Sequence, residues 1–138
     1  MARLSIEEVK YLSHVLAQER YNFDEPIPDF STRYPNILES CIAVPFQTYD
    51  RRELYSAFID KSAILFYLMI KNHPFQNGNK RVAVTTLLVF LAKHDKWIDV
   101  DIRTLYNFAV SVAGSKPSQK NKILKHVASF LKTFMVPY

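Results

Sequence analysis

The feature that most restricts the fold is a pair of apolar stretches that have no polar side. Residues 63–70, AILFYLMI, are apolar at every position, and residues 82–92 are interrupted only by Thr85 and Thr86. A helix that is apolar on all sides is buried on all sides. The two stretches therefore predict two central helices with the rest of the chain packed around them.

The low glycine content also favours helices. The chain has 138 residues, of which only two are glycine and seven are proline, whereas the turns of β-rich domains depend on glycine. Hydrophobic spacing predicts six helices, over residues 5–21, 36–44, 53–72, 79–92, 101–114 and 118–134. We expect a single all-α domain over residues 1–138, with residues 22–33 and 94–100 as loops and residues 45–52 as an irregular loop or a small hairpin.

Several residues mark helix ends. Ser5 and Glu8 have the spacing of a capping box, and Pro35 suits the first turn of a helix. Asp101 and Ser118 are predicted N-caps, and Gly114 is a typical C-terminal glycine.

Composition excludes several classes of protein. The apolar stretches are too short to span a bilayer, and polar residues interrupt the first ten positions, so we expect neither a membrane segment nor a signal peptide. A single cysteine, Cys41, rules out a disulfide framework and a cysteine zinc site, and its apolar surroundings predict a core position. A cytoplasmic location is the simplest expectation.

The charge of the chain is uneven. Residues 1–70 carry 7 Lys and Arg against 10 Asp and Glu, whereas residues 71–138 carry 11 against 3. A basic half indicates either a phosphate-bearing partner or a solvated basic face. We interpret Lys116, Lys120, Lys122 and Lys125 mainly as a solvated face, and without an aromatic RNA-binding motif we expect no direct nucleic-acid binding.

A polar segment, residues 72–81, separates the two apolar stretches. Its Pro74 predicts the end of one helix just after His73, and the next helix should begin near Asn79 or Lys80. The first turn of a helix normally carries acidic residues, but here Lys80 and Arg81 add positive charge to the positive end of the helix dipole. An anion would balance that charge, so we expect either a phosphate site or side chains that face solvent or pair with Asp or Glu elsewhere in the chain.

Two further residues of this segment have expected roles. His73 is either a general base that accepts a hydroxyl proton or a partner for the preceding helix end. Phe75 should pack into the core and fix the loop. The other histidines, His14, His94 and His126, are interpreted as structural or surface residues.

The sequence of residues 73–81, HPFQNGNKR, resembles the motif of the Fic/Doc family, HPFx(D/E)GN(G/K)R. The resemblance implies a Fic-like helical bundle in which His73 is the general base and Gly78, Asn79, Lys80 and Arg81 hold nucleotide phosphates. It also implies that residue 77 binds Mg²⁺. Residues 45–52 would then be a flap that docks an extended target segment by strand addition.

The resemblance also implies a reaction. Typical Fic proteins transfer AMP from ATP to a protein hydroxyl, whereas Doc toxins transfer the γ-phosphate to a threonine of elongation factor Tu and block translation. Lys80 stands where most Fic proteins have glycine, which resembles the Doc branch. We expect a Doc-like toxin that uses ATP and Mg²⁺, with AMP transfer as the alternative.

Two departures from the family pattern affect this expectation. Asn77 stands where the family has Asp or Glu, and an amide binds Mg²⁺ without adding charge, so a catalytically weakened nucleotide-binding module is a further alternative. Fic proteins are often inhibited by a helix that carries the pattern (S/T)xxxE(G/N). No Ser or Thr of this chain is followed four residues later by Glu, so this pattern is missing from the sequence. The resemblance to the Doc branch implies inhibition by a separate cognate antitoxin, and an unregulated chain is the alternative.

Overall fold

The computed structural model describes residues 1–21 and 26–138, and six α-helices with short 3-10 turns make up most of them. Helix α1 begins as Ile6–Glu8, widens into a π-helical segment over Val9–His14 and ends as Val15–Arg20. The others are α2 (Pro35–Ala43), α3 (Phe58–Lys71), α4 (Asn79–Lys93), α5 (Ile102–Ala113) and α6 (Lys120–Phe134). The predicted all-α bundle is confirmed.

Helices α3 and α4 form the centre of the molecule. Residues 61–70 of α3 and residues 81–88 of α4 are all buried. Helix α3 packs mainly against α4 and α6, and α4 also packs against α5 and the π-helical part of α1. Each fully buried large apolar side chain stabilises the fold by about 1.5–3 kcal/mol. Because both helices are buried along most of their length, the prediction of two central helices is confirmed.

The helix-end signals are mostly confirmed. Ser5 and Glu8 form the expected capping box, in which the Glu8 N–H donates to Ser5 Oγ at 3.1 Å and the Ser5 N–H donates to Glu8 Oε1 at 2.9 Å. The Asp101 carboxylate accepts from the Thr104 N–H at 2.7 Å, and this bond lowers the pKa of Asp101. Pro35 is the first residue of α2, and Gly114 closes α5.

The predicted cap at Ser118 is wrong. Ser118 lies inside a 3-10 turn, Pro117–Gln119, and α6 begins only at Lys120. Pro117 starts that tighter turn, so Gln119 becomes the residue before the helix, and its side chain makes no capping bond.

Residues 48–53 form a β-hairpin, so the hairpin alternative is correct. Strands β1 (Thr48–Tyr49) and β2 (Arg52–Glu53) pair antiparallel, with Thr48 opposite Glu53. Asp50 and Arg51 both have positive φ, 51° and 63°, as a two-residue type I′ turn requires. The predicted helix start at Glu53 is wrong, because Glu53 is paired in the hairpin and α3 begins at Phe58.

A buried lysine fixes the base of this hairpin. Lys61, in the first turns of α3, is fully buried and its Nζ donates to the Tyr55 carbonyl. The same Nζ lies 3.3 Å from Glu53 Oε1 and 5.3 Å from the centre of the Phe46 ring. A buried ammonium needs such partners, so the hairpin and α3 are tied together at this point.

The predicted loop over residues 94–100 contains a strand instead. Strand β3 (Lys96–Ile98) pairs antiparallel with β4 (Met135–Pro137), and Trp97 lies opposite Val136. The partner strand lies almost forty residues further along the chain. Local sequence patterns carry no information on such a pairing. It forms because the strand after α6 lies beside the strand after α4.

The surface matches the sequence interpretation. Lys116, Lys120, Lys122 and Lys125 are all exposed, and so is His126, whereas Cys41 is buried and its burial raises the pKa of the thiol to about 12. Across residues 1–21 and 26–138, every helix is too short or too polar to cross a membrane. Residues 22–25 of the predicted 22–33 loop lie outside the described residues.

A testable ion pair joins α1 to the end of α4. Lys93 Nζ lies 2.7 Å from both Glu8 oxygens. Burial raises the pKa of Glu8, but the bonds from Lys93 and Ser5 outweigh burial and hold this pKa below its ordinary value. A lowered folded-state pKa stabilises the fold above the unfolded-state pKa, and this stabilisation is lost as the pH falls.

Glu8→Gln should therefore lower the free energy of unfolding at pH 7 by about 0.5–1 kcal/mol, because the partly exposed ion pair is lost. The deficit should disappear as the pH falls through the folded-state pKa of Glu8, as measured by urea denaturation across pH. Glu7→Gln removes the same charge from an exposed neighbour in the same turn and should have little effect. Equal losses for the two variants would contradict a role for the ion pair.

Candidate active site

The segment of residues 73–81, here called the motif segment, links the two central helices. Helix α3 ends at Lys71, with Asn72 as its cap, and His73 follows outside the helix with a φ of 51°. This left-handed conformation costs a non-glycine residue about 1–2 kcal/mol. The predicted helix end just after His73 is therefore wrong, because α3 ends two residues before His73, and neighbouring contacts must hold the strained backbone of His73.

Two buried residues fix the start of the motif segment. Phe75 is 3% exposed, and its ring centre lies 5.3 Å from the His14 ring and 5.9 Å from the Phe30 ring. Pro74 is also buried, and its carbonyl accepts from the Tyr34 N–H, just before α2, at 2.9 Å. The prediction that Phe75 packs into the core is confirmed.

His14 supports this aromatic cluster as a buried, uncharged ring. Its side chain is 2% exposed, and its ring centre lies 5.3 Å from that of Phe30. Burial lowers the pKa of His14, although the Pro28 backbone and the Asp29 carboxylate act in the opposite direction. The interpretation of His14 as a structural residue is confirmed.

Asn79, the first residue of α4, closes the segment on itself. Its Oδ1 accepts from the Phe75 N–H at 2.9 Å, and its Nδ2 donates to the Phe75 carbonyl at 2.8 Å. The same Nδ2 lies 3.4 Å from Nδ1 of His73. The Asn79 amide therefore holds both the loop backbone and the histidine ring in place.

Gly78 occupies a position that no other residue fits well. Its φ is 76°, in the left-handed region, and it is the N-cap of α4. A Cβ at this position would lie 2.7 Å from Cγ1 of Ile27. Both the backbone conformation and the contact with Ile27 therefore require glycine.

The start of α4 has the features of an anion site. Gly78 supplies no side chain to cap the helix, and the first turn contains no acidic residue, so its N–H groups and dipole favour a negative ligand. Lys80 is half-buried and Arg81 is 3% exposed, so neither side chain points freely into solvent. The nucleotide-binding roles of Gly78, Asn79, Lys80 and Arg81 stay predictions.

Asn77, the expected metal ligand, is half-buried in the same segment. Its Oδ1 accepts from the Gly78 N–H at 2.8 Å. Within residues 1–21 and 26–138, no cluster of three or more His, Cys, Asp or Glu side chains could hold a metal ion by itself. An amide oxygen has two lone pairs but no charge, so the residue type at position 77 fits Mg²⁺ as one ligand among nucleotide phosphates, and not as part of a metal site made by the protein alone.

The sequence did not reveal the contacts that hold the segment. Ile27 against Gly78 and Tyr34 against Pro74 join parts of the chain about forty to fifty residues apart. The sequence contained one signal for the hydrogen bonds of the Asn79 side chain, because an asparagine at the start of a helix often bonds to nearby backbone groups.

Gly78→Ala should lower the free energy of unfolding by about 2–4 kcal/mol, through the strained φ and the clash with Ile27. Gly114→Ala is the matched control, because Gly114 has a φ of −79° and a Cβ there would meet only ordinary contacts at 3.7 Å or more. The control should leave stability unchanged or raise it by about 0.4–1 kcal/mol. Thermal and urea unfolding measure both, and similar stability for the two variants would contradict the packing at Gly78.

Comparison with known proteins gives one result. Neither the curated proteins nor the solved structures contain a significant match to this chain. Residues 3–91, which include α1 to α3, most of α4 and the whole motif segment, match the family described as Fic/DOC. That match covers well over half of the chain, and members of the family are typically transferases that move AMP or phosphate. The chain belongs to the Fic/DOC family.

Proposed function

We propose that this protein transfers the γ-phosphate of ATP to a serine or threonine hydroxyl of a target protein. The observation that carries the proposal is the position of His73, which is exposed, strained and held by Asn79 at the uncapped start of α4. A histidine and a helix N-terminus that lacks acidic residues in its first turn are thus adjacent. Transfer to a hydroxyl needs both, one for the proton and one for the phosphates.

In this reaction His73 accepts the proton of the target hydroxyl. The hydroxyl oxygen bonds to the γ-phosphorus, the bond from that phosphorus to the β–γ bridging oxygen breaks, and ADP leaves. The N–H groups of the first turn of α4, with Lys80 and Arg81, bind and orient the phosphates. Mg²⁺ held by Asn77 and the phosphates would neutralise phosphate charge.

Lys80 supports phosphate transfer over AMP transfer. It stands where most family motifs have glycine, and it is half-buried in the first turn of α4. A bulky cation beside the phosphate site changes which phosphate can enter. In AMP transfer, the alternative, the hydroxyl would attack the α-phosphorus and pyrophosphate would leave.

The hairpin of residues 48–53 supports a protein as the acceptor. Its two strands pair only with each other among the described residues, and its side chains, including Tyr49 at 77%, are exposed. An open strand edge can add an extended peptide by backbone hydrogen bonds. Elongation factor Tu as target and a cognate antitoxin as inhibitor are proposed on the Doc-like motif.

Labelled ATP tests the reaction. Purified protein and a cell lysate are incubated with γ-labelled or α-labelled ATP, and label is measured on protein. Label from the γ position alone is the expected result, because ADP is the proposed leaving group. Label from the α position alone would establish AMP transfer instead, and no label from either would favour a catalytically silent nucleotide-binding module.

His73→Ala should reduce transfer by about a hundredfold or more, because a general base contributes about 10²–10⁴ in rate. ATP binding, measured by calorimetry, should be largely retained, since the phosphate groups of the site are unchanged. His126→Ala is the control, because His126 is an exposed histidine on α6. An unchanged rate for His73→Ala would remove the general-base assignment.

Asn77→Asp should lower the Mg²⁺ concentration needed for half-maximal transfer by about tenfold, which corresponds to ~1.4 kcal/mol of binding. The reason is that a carboxylate adds a charge that the amide lacks. Gln76→Glu adds the same charge at an exposed neighbour. A magnesium titration in which the two variants shift equally, or neither shifts, would contradict metal ligation by residue 77.

A further inference from the structure

We infer that Asn79 is a positioning residue that fixes the proton of His73 on Nε2 and leaves Nδ1 as the basic atom. This inference deepens the proposed function and rests on it only for the role of Nδ1 as the atom that accepts the substrate proton. The tautomer itself follows from the contacts around the Asn79 amide, which exist without any ligand.

The orientation of the Asn79 amide is determined by its two bonds to Phe75. One partner is an N–H, which only the amide oxygen can accept, and the other is a carbonyl, which only the amide nitrogen can donate to. A flipped amide would place two donors together and two acceptors together. Because Phe75 is buried, the backbone groups that determine this orientation are held in place.

With the amide so oriented, only N–H groups face His73. Nδ2 of Asn79 lies 3.4 Å from Nδ1 of His73, and an amide nitrogen cannot accept a hydrogen bond. Nδ1 must therefore be the acceptor, so in the neutral ring the proton lies on Nε2. The contact favours one orientation of the exposed His73 ring.

The same distance explains how the contact permits catalysis. At 3.4 Å the bond is longer than the usual range for a hydrogen bond to nitrogen or oxygen, so a substrate hydroxyl can compete for Nδ1. The unprotonated nitrogen also lies on the side of the ring that faces the start of α4. The hydroxyl proton would pass to Nδ1, beside the proposed phosphate site.

Nitrogen NMR of the uniformly ¹⁵N-labelled, full-length protein tests the tautomer directly. Long-range ¹H–¹⁵N spectra of neutral histidine distinguish protonated from unprotonated ring nitrogens, and the His73→Ala spectrum assigns His73 among the four histidines. We expect His73 in the Nε2–H form at neutral pH. A predominant Nδ1–H form in the wild-type protein would overturn the inference.

Asn79→Asp should reverse the tautomer. A carboxylate can still accept from the Phe75 N–H, but it cannot donate to Nδ1, so it favours the Nδ1–H form. Asn72→Asp adds the same charge one residue before His73, at an exposed side chain for which the described residues show no hydrogen bond, and should leave the tautomer unchanged. Equal tautomer ratios in both variants would overturn the inference.

Transfer from labelled ATP separates this inference from the proposed function. Asn79→Asp should lose at least tenfold in transfer rate together with the change of tautomer. Loss of transfer with the wild-type tautomer retained would overturn the positioning role. A wild-type protein with the Nε2–H form but no transfer would contradict the proposed function and leave the tautomer assignment standing.

Discussion

The structure depends on the burial of two consecutive helices on all their sides. Residues 61–70 and 81–88 are continuously buried, and the segment that joins α3 and α4 is itself buried at Pro74 and Phe75. Its backbone polar groups must find partners close by, because an unpaired buried polar group costs about 1–3 kcal/mol. The Asn79 amide meets this need for Phe75, and the Tyr34 N–H meets it for Pro74.

The same constraint makes the candidate site rigid. Phe75 is fixed in an aromatic cluster, Gly78 is packed against Ile27, and His73 has a strained backbone and contacts the Asn79 amide. Site geometry is most accurate where the supporting residues are themselves locked by packing and hydrogen bonds. The exposed imidazole of His73 is therefore attached to a well-packed part of the chain, which suits its proposed role as general base.

A separate group of contacts holds the hairpin of residues 48–53. Buried Lys61 binds the Tyr55 carbonyl and Glu53 at the base of the hairpin, while the hairpin side chains lie in solvent. The base is thus fixed and the strand edges are open. The proposed docking of an extended target segment needs both properties, since the strand edge must be accessible and its distance from the core must be constant.

The sequence alone determined the helical bundle, the two central helices and the identity of the motif segment. Those features depend on local patterns: nearly continuous apolar stretches, capping residues such as Ser5 and Asp101, and a run of motif residues that departs from the family pattern only at Asn77. One of the two alternatives predicted for residues 45–52, a small hairpin, was also correct. It failed at the start of α3 and over residues 94–100, where pairing with Thr48 and with β4 overrode the local pattern.

Only the tertiary structure decided how the candidate site is built. The sequence placed His73, Gly78 and Asn79 in one segment, but the φ of His73 and the contact of Gly78 with Ile27 depend on the fold. The role of the Asn79 amide likewise required the positions of the Phe75 backbone and the His73 ring. Spacing along the chain determines which residues lie in the same segment. The direction of their hydrogen bonds depends on backbone angles, and packing against distant parts of the chain determines those angles.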